Sequence, residues 1–153
     1  MKARDIMTTD VITFTPDTGI SHIARVFAQE GISGAPVVQS GEVIGIVTEI
    51  DLIARQTRPH SPVYLPLLGA QIPLGGQREY REVVRRILGL TAQDIMTTPV
   101  VAVDPDTDLE EVATLMVEHK ANPIPVLEDG RLVGIIGHTD LIVHLAEATE
   151  PAE

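Results

Sequence analysis

Ala3-Arg4-Asp5-Ile6-Met7-Thr8-Thr9 is answered, 89 positions later, by Ala92-Gln93-Asp94-Ile95-Met96-Thr97-Thr98. The match runs without a gap from Ala3–Ile53 onto Ala92–Ile142, with 19 of 51 aligned pairs identical, so the chain is an internal duplication and not one continuous motif. Further along, Pro16-Asp17-Thr18 pairs with Pro105-Asp106-Thr107, Pro36-Val37 with Pro125-Val126, Gly45-Ile46 with Gly134-Ile135, and Asp51-Leu52-Ile53 with Asp140-Leu141-Ile142. Two copies of one unit predict a pseudo-twofold architecture in which any cleft between units occurs twice.

Local signals within the unit follow one order. Val11-Ile12-Thr13-Phe14 is a short β-type run, and Pro16-Asp17-Thr18 marks a turn and helix start. Ile20, Ile23, Ala24 and Phe27 recur at helical spacing until Gly31; Leu109, Val112, Ala113 and Met116 repeat the stripe, with Thr107 and Glu110 in a capping-box pattern. Pro36-Val37-Val38 and Val43-Ile44-Gly45-Ile46-Val47, separated by Gln39-Ser40-Gly41-Glu42, predict a hairpin. A final helix starts near Thr48 or Asp51, and its counterpart runs Asp140 to Ala146. The unit reads β-α-β-β-α, twice, an α+β fold.

Composition sets the bounds. A unit of roughly 50–60 residues buries too little surface to be comfortably stable alone, so the two copies are expected to share a core. With 3% aromatic residues and no Trp, that core is aliphatic. No run approaches the roughly 18–20 apolar residues of a membrane span, and the opening Met-Lys-Ala-Arg-Asp has no secretory character, which predicts a cytoplasmic protein. The absence of Cys removes disulfides, thiolate metal sites and cysteine nucleophiles. A net charge of −11 disfavours nucleic acid and anionic membrane as partners.

Residues 57–90 separate the copies. Six of the eleven basic residues, Arg55, Arg58, Arg78, Arg81, Arg85 and Arg86, lie in or beside this segment. Its first half, rich in Pro and Gly, cannot be a long helix. Its second half, Arg78 to Leu88, places Tyr80, Val83, Val84, Ile87 and Leu88 at helical spacing and predicts a basic amphipathic helix. The expected organisation is a first repeat over 1–56, a linker over 57–90, a second repeat over 91–148 and an acidic tail over 149–153.

The order Asp-Ile-Met-Thr, strand, Pro-Asp-Thr, amphipathic helix, Pro-Val, Gly-led strand and Thr-x-x-Asp-Leu resembles a tandem of cystathionine-β-synthase-type (CBS) domains. That resemblance implies a disc of two repeats with two clefts, a homodimer, and an adenosine-containing ligand that regulates a partner protein. The ligand-binding segment it points to is Gly45-Ile46-Val47-Thr48-Glu49-Ile50-Asp51. Asp51 would accept hydrogen bonds from both ribose hydroxyls, Thr48 would offer its hydroxyl to a phosphate at a helix start, and Gly45 would let the backbone approach. Val11, Thr13, Ala35 and Val37 would border the adenine. The second copy keeps Asp140 but has Gly137 for Thr48, with His138 as a substitute donor. Of the basic residues frequent in this family before Pro-Val, only Lys120 is nearby, so a polyphosphate would need Arg4 or linker arginines.

The implied function is a sensor of AMP, ADP or ATP, with S-adenosylmethionine, a cyclic dinucleotide or a ligand-free interaction module as alternatives. Thr48 and Asp51 also fit a plain helix capping box. No catalytic residues, catalytic cofactor or metal site are assigned: the serines lack a nucleophile elbow, and Asp140 with His138 and His144 has no supporting ligand set.

Overall fold

The computed structural model describes residues 1–54, 64–67, 70–73 and 91–149. The first repeat comprises α1 (Ala3–Ile6), α2 (Ile20–Glu30), β1 (Gly34–Gln39), β2 (Glu42–Thr48) and α3 (Glu49–Ile53). In the linker, β3 (Tyr64–Leu67) pairs antiparallel with β4 (Ala70–Pro73). The helix expected over 78–88 lies outside the described residues. The second repeat contains α4 (Ala92–Ile95), α5 (Leu109–His119), β5 (Ile124–Glu128), β6 (Arg131–Ile136) and α6 (His138–Thr149).

The hairpin within each repeat closes on a two-residue turn with both residues at positive φ, Ser40-Gly41 (52° and 80°) and Asp129-Gly130 (50° and 77°), the geometry that matches strand twist. The expected leading strand shrinks to one parallel bridge. Phe14 donates its N–H to the Pro36 carbonyl (3.0 Å) and accepts from the Val38 N–H (2.8 Å). The next rung toward Ile12 would need an N–H from Pro36, which has none. Val103 meets the same stop at Pro125.

Helix α2 buries Ile20, Ile23 and Phe27 and ends on Gly31 in the left-handed conformation (φ 63°). Helix α5 buries Val112 and Met116 and ends in the same conformation, but there the residue is Lys120 (φ 50°). An L side chain in that conformation costs about 1–2 kcal/mol relative to right-handed backbone. The two ends are otherwise alike, so this cost is specific to the second repeat.

The short helices α1 and α4 do not emerge from hydrophobic periodicity. Their sequence signal is an aspartate three residues into the helix: Lys2 N–H donates to Asp5 Oδ2 (2.7 Å), and Thr91 Oγ1 donates to Asp94 Oδ2 (2.9 Å). Each is exchanged between repeats. Ala3, from the start of the chain, is fully buried in a cluster with Val103, Val112, Ile124, Val126 and Ile136, while Ala92 and Ile95 are fully buried with Phe14, Ile23, Phe27, Val37 and Val47.

Backbone bonds fix the exchange symmetrically: Ala3 N–H to the Thr107 carbonyl (2.8 Å) and Arg4 N–H to that of Pro105 (2.9 Å), against Ala92 N–H to Thr18 (2.8 Å) and Gln93 N–H to Pro16 (2.9 Å). Exposed ion pairs Lys2–Asp108 (2.9 Å) and Arg4–Asp106 (2.6 Å) flank one side. The hydrogen bond from Lys2 holds the Asp108 carboxyl below the ordinary carboxylate range and raises Lys2 in turn. The repeats therefore have two cores, each completed by the other's leading helix, in place of the single shared core that size alone suggested.

In each half of the exchange a methionine lies over a glycine. A Cβ placed on Gly45 would lie 2.4 Å from Met96 Sδ, and one on Gly134 would lie 2.5 Å from Met7 Sδ. Gly45→Ala is expected to destabilise the chain by about 1–3 kcal/mol. Urea unfolding of Gly45→Ala, Met96→Ala and the double variant should show strong non-additivity, and additive effects would contradict this packing.

Candidate functional site

A cavity of about 830 Å³ opens where the end of β2 and the start of α3 face the second repeat. What brings the two sides together is an antiparallel bridge across the repeats: Thr97 N–H donates to the Ile46 carbonyl (2.8 Å) and Ile46 N–H donates back (3.2 Å). The exchange of α4 thus carries residues 97–101 onto the mouth of the first repeat's β2–α3 junction.

Asp51 is the buried charged residue at this junction, 6% exposed. Its carboxylate accepts from Thr48 N–H (2.9 Å), Thr48 Oγ1 (3.1 Å) and, across the repeats, Thr97 Oγ1 (3.1 Å). Asp51 N–H returns a bond to Thr48 Oγ1 (3.4 Å), closing a capping box. Glu49 N–H donates to the Ser33 carbonyl (2.9 Å). The backbone donors expected to meet a phosphate at Thr48 are therefore largely occupied, by the capping box and by Ser33, and α3 has only five residues.

The remaining wall divides by chemistry. Ile46, Ile50, Pro99, Val101, Ala121 and Pro123 form its apolar surface. The first repeat contributes Glu49 and Asp51, and the second contributes the nitrogen donors of His119, Lys120 and His138. Asn122 sits between, accepting from His138 N–H with its Oδ1 (3.0 Å) and donating from Nδ2 to Ser33 Oγ (3.4 Å). A flat apolar group, a set of hydroxyls and an anion can all find complementary surface here.

Of the sequence-predicted residues, Thr48, Asp51 and His138 come together in this cavity. Ala35 and Val37 do not line it: both are fully buried in the first repeat's core, because alternate positions of β1 point inward under α2. Gly45 lies against Met96 and is not part of this cavity. Val11 and Thr13 are also absent from this wall, whose corresponding stretch is supplied by Pro99 and Val101 of the other repeat. Asp140 lies half-buried at the start of α6, accepts from Gly137 N–H (2.7 Å), and is likewise not part of this cavity.

Sequence reasoning missed Thr97, Pro99, His119 and Asn122, because it built each cleft from one repeat. The duplicated Thr-Thr after Met7 and Met96 was the available signal. Among the described residues no group of three or more metal-ligating side chains converges, and no helix is long and apolar enough to cross a membrane.

The model of the CBS domain matches residues 3–57 and 92–147. An uncharacterized protein of Methanocaldococcus jannaschii is 30% identical over 93% of this chain and 89% of its own length. The CBS domain-containing protein YhcV of Bacillus subtilis is 26% identical over 92% and 83%. Among solved structures, CBSX2 in complex with AMP superposes with a TM-score of 0.77 over 97% of this chain and 99% of that one, at 21% identity. The CBS pair of protein MJ0100, in complex with 5′-methylthioadenosine and S-adenosyl-L-methionine, superposes at 0.72 over 97% and 98%, also at 21% identity.

Thr97→Val keeps the shape of the side chain and removes one donor from a buried carboxylate. It is expected to lower stability by about 1–2 kcal/mol, with Thr97→Ser restoring most of the loss; equal urea midpoints for all three proteins would show that the cross-repeat bond contributes nothing.

Proposed function

Because the chain belongs to the CBS domain family, we propose that it is a regulatory module that senses an adenine nucleotide or a related adenosyl compound in the cavity between its repeats and signals the bound state to a partner protein. The observation that carries this reading is Asp51, a buried carboxylate on the wall of a cavity that also has an apolar surface. A pair of vicinal hydroxyls is matched by a carboxylate, which accepts several hydrogen bonds at once, and a purine is matched by Ile46, Pro99, Val101 and Pro123. The adenosyl ligands of CBSX2 and of MJ0100 support the ligand class. On this reading the module has no catalytic role and works in the cytoplasm. Asp140, with Gly137 in place of a threonine, makes the weaker of two clefts.

Asp51 serves the capping box and, on this proposal, the ribose, so one substitution separates the two roles. Asp51→Ala should lower stability by about 0.5–2 kcal/mol and weaken AMP binding by about 10- to 100-fold. Calorimetry on the unmodified chain should give one strong site per chain, and Asp140→Ala should leave it nearly intact. An Asp51→Ala protein that melts earlier but binds AMP as before would reduce Asp51 to a helix cap and favour a ligand-free interaction module.

A homodimer is proposed on the apolar residues left on the last helix of each repeat: Ile50 and Ile53 on α3, and Ile142, Val143 and Leu145 on α6, are each at least half exposed. Light scattering at micromolar concentration should give twice the chain mass; the mass of one chain would remove the dimer.

A further inference from the structure

On the adenosyl reading above, which it rests on and deepens, we infer that Thr97 is a built-in competitor for the ribose: a diol that reaches Asp51 displaces the Thr97 hydroxyl, so filling the cavity exchanges a bond between the repeats for a bond to the ligand. One carboxylate has a limited capacity, about four acceptor positions on two oxygens. Thr48 N–H (2.9 Å) and Thr48 Oγ1 (3.1 Å) both donate to Asp51 Oδ2, and Thr97 Oγ1 donates to Oδ1 (3.1 Å) while lying 3.3 Å from Oδ2. At most one position remains, and a pair of vicinal hydroxyls asks for two. One of the present donors has to leave before both hydroxyls can bind.

Thr48 is the harder donor to move. Its N–H and hydroxyl belong to the closed ring that starts α3, and the hydroxyl also accepts from Asp51 N–H (3.4 Å). Thr97 comes from the other repeat, shares one hydroxyl proton between two oxygens, and lines the cavity beside Asp51. Its backbone does not depend on that proton, because two backbone bonds already join Thr97 to Ile46 (2.8 and 3.2 Å). The second repeat has the same bridge without the side-chain bond. There Thr8 and Ile135 exchange two backbone bonds (both 2.9 Å), while among the described residues Asp140 accepts from Gly137 N–H (2.7 Å) and not from Thr8. A rotation of the Thr97 side chain therefore vacates the carboxylate and leaves the bridge standing. Filling the Asp51 cleft removes a hydroxyl–carboxylate bond that ties one repeat to the other, which gives occupancy a direct effect on how firmly the repeats are held; the Asp140 cleft has no such bond to lose.

The test compares the full chain with Thr97→Val, Thr97→Ala and Thr97→Ser, by thermal unfolding without ligand and by calorimetry with AMP and 2′-deoxy-AMP as probes. Thr97→Val should lower Tm by roughly 2–8 °C and yet bind AMP about three- to tenfold more tightly, because the ribose no longer has a donor to displace. Thr97→Ala should move both quantities in the same directions, and Thr97→Ser, which keeps the hydroxyl, should stay close to the unmodified chain. The deoxy nucleotide asks for one acceptor position fewer, so its gain should be smaller and the preference for AMP should widen in Thr97→Val. A less stable variant with tighter binding is the reverse of what a threonine that contacts the ligand, or one that only supports the fold, would produce. Unchanged or weaker AMP binding by Thr97→Val and Thr97→Ala, or an equal gain for the two nucleotides, would overturn the exchange and leave the adenosyl reading in place. Failure of the unmodified chain and of Thr97→Val alike to bind AMP would overturn the adenosyl reading and this inference with it.

Discussion

The structure depends on the seating of one methionine per repeat over a glycine of the other. Met96 reaches Gly45 and Met7 reaches Gly134 so closely that no side chain fits beneath them. Around these contacts the leading helices α1 and α4 change places, and each completes the opposite core. Dispersion forces at such close approach are sensitive to fractions of an ångström, so the register of one repeat against the other is set where the two chains of contacts touch. The backbone bonds from Ala3, Arg4, Ala92 and Gln93 then hold the same register at four further points.

The cavity is a by-product of that register. Once α4 is seated, Thr97 can only pair with Ile46, and its hydroxyl falls on Asp51. Asp51 alone would be a helix cap. With Thr97, Pro99 and the turn from His119 to Pro123 brought against it, the same carboxylate becomes one wall of a cavity with an apolar surface and a basic side. In a chain of net charge −11, the cavity sets Lys120 and two histidines beside Glu49 and Asp51. Long-range attraction plays little part in bringing an anion there, and short-range donors must hold it.

Much of this was legible before any coordinates. The constant offset of 89 between copies, the helical stripe ending at Gly31, and the turn residues Ser40-Gly41 each encode a local geometry through one dominant effect: periodicity, left-handed backbone, or a turn that matches strand twist. The leading strand was over-read because its residues are good β-formers, while the obstacle sits elsewhere in the chain, in the missing N–H of Pro36. Thr48 and Asp51 are legible as a helix start, while the residues that face them across the cavity come from the second repeat. A repeat reports what each unit contains, and it is silent on whether two units sit side by side or exchange parts. That choice is made by contacts such as Met96 on Gly45, which are close in space and about fifty residues apart in sequence.

The exchange also sets a timetable. A chain emerging from the ribosome presents α1 first, yet the apolar site that receives Ala3 is built from Val103, Val112, Ile124, Val126 and Ile136, the last of which is synthesised more than 130 residues later. The first repeat, likewise, lacks Ala92 and Ile95 until the linker has passed. The first half cannot reach its final packing until α4 has been made, and the second closes over α1, which was made before it. Duplication usually confers independence on the copies; here each copy carries the helix that completes the other.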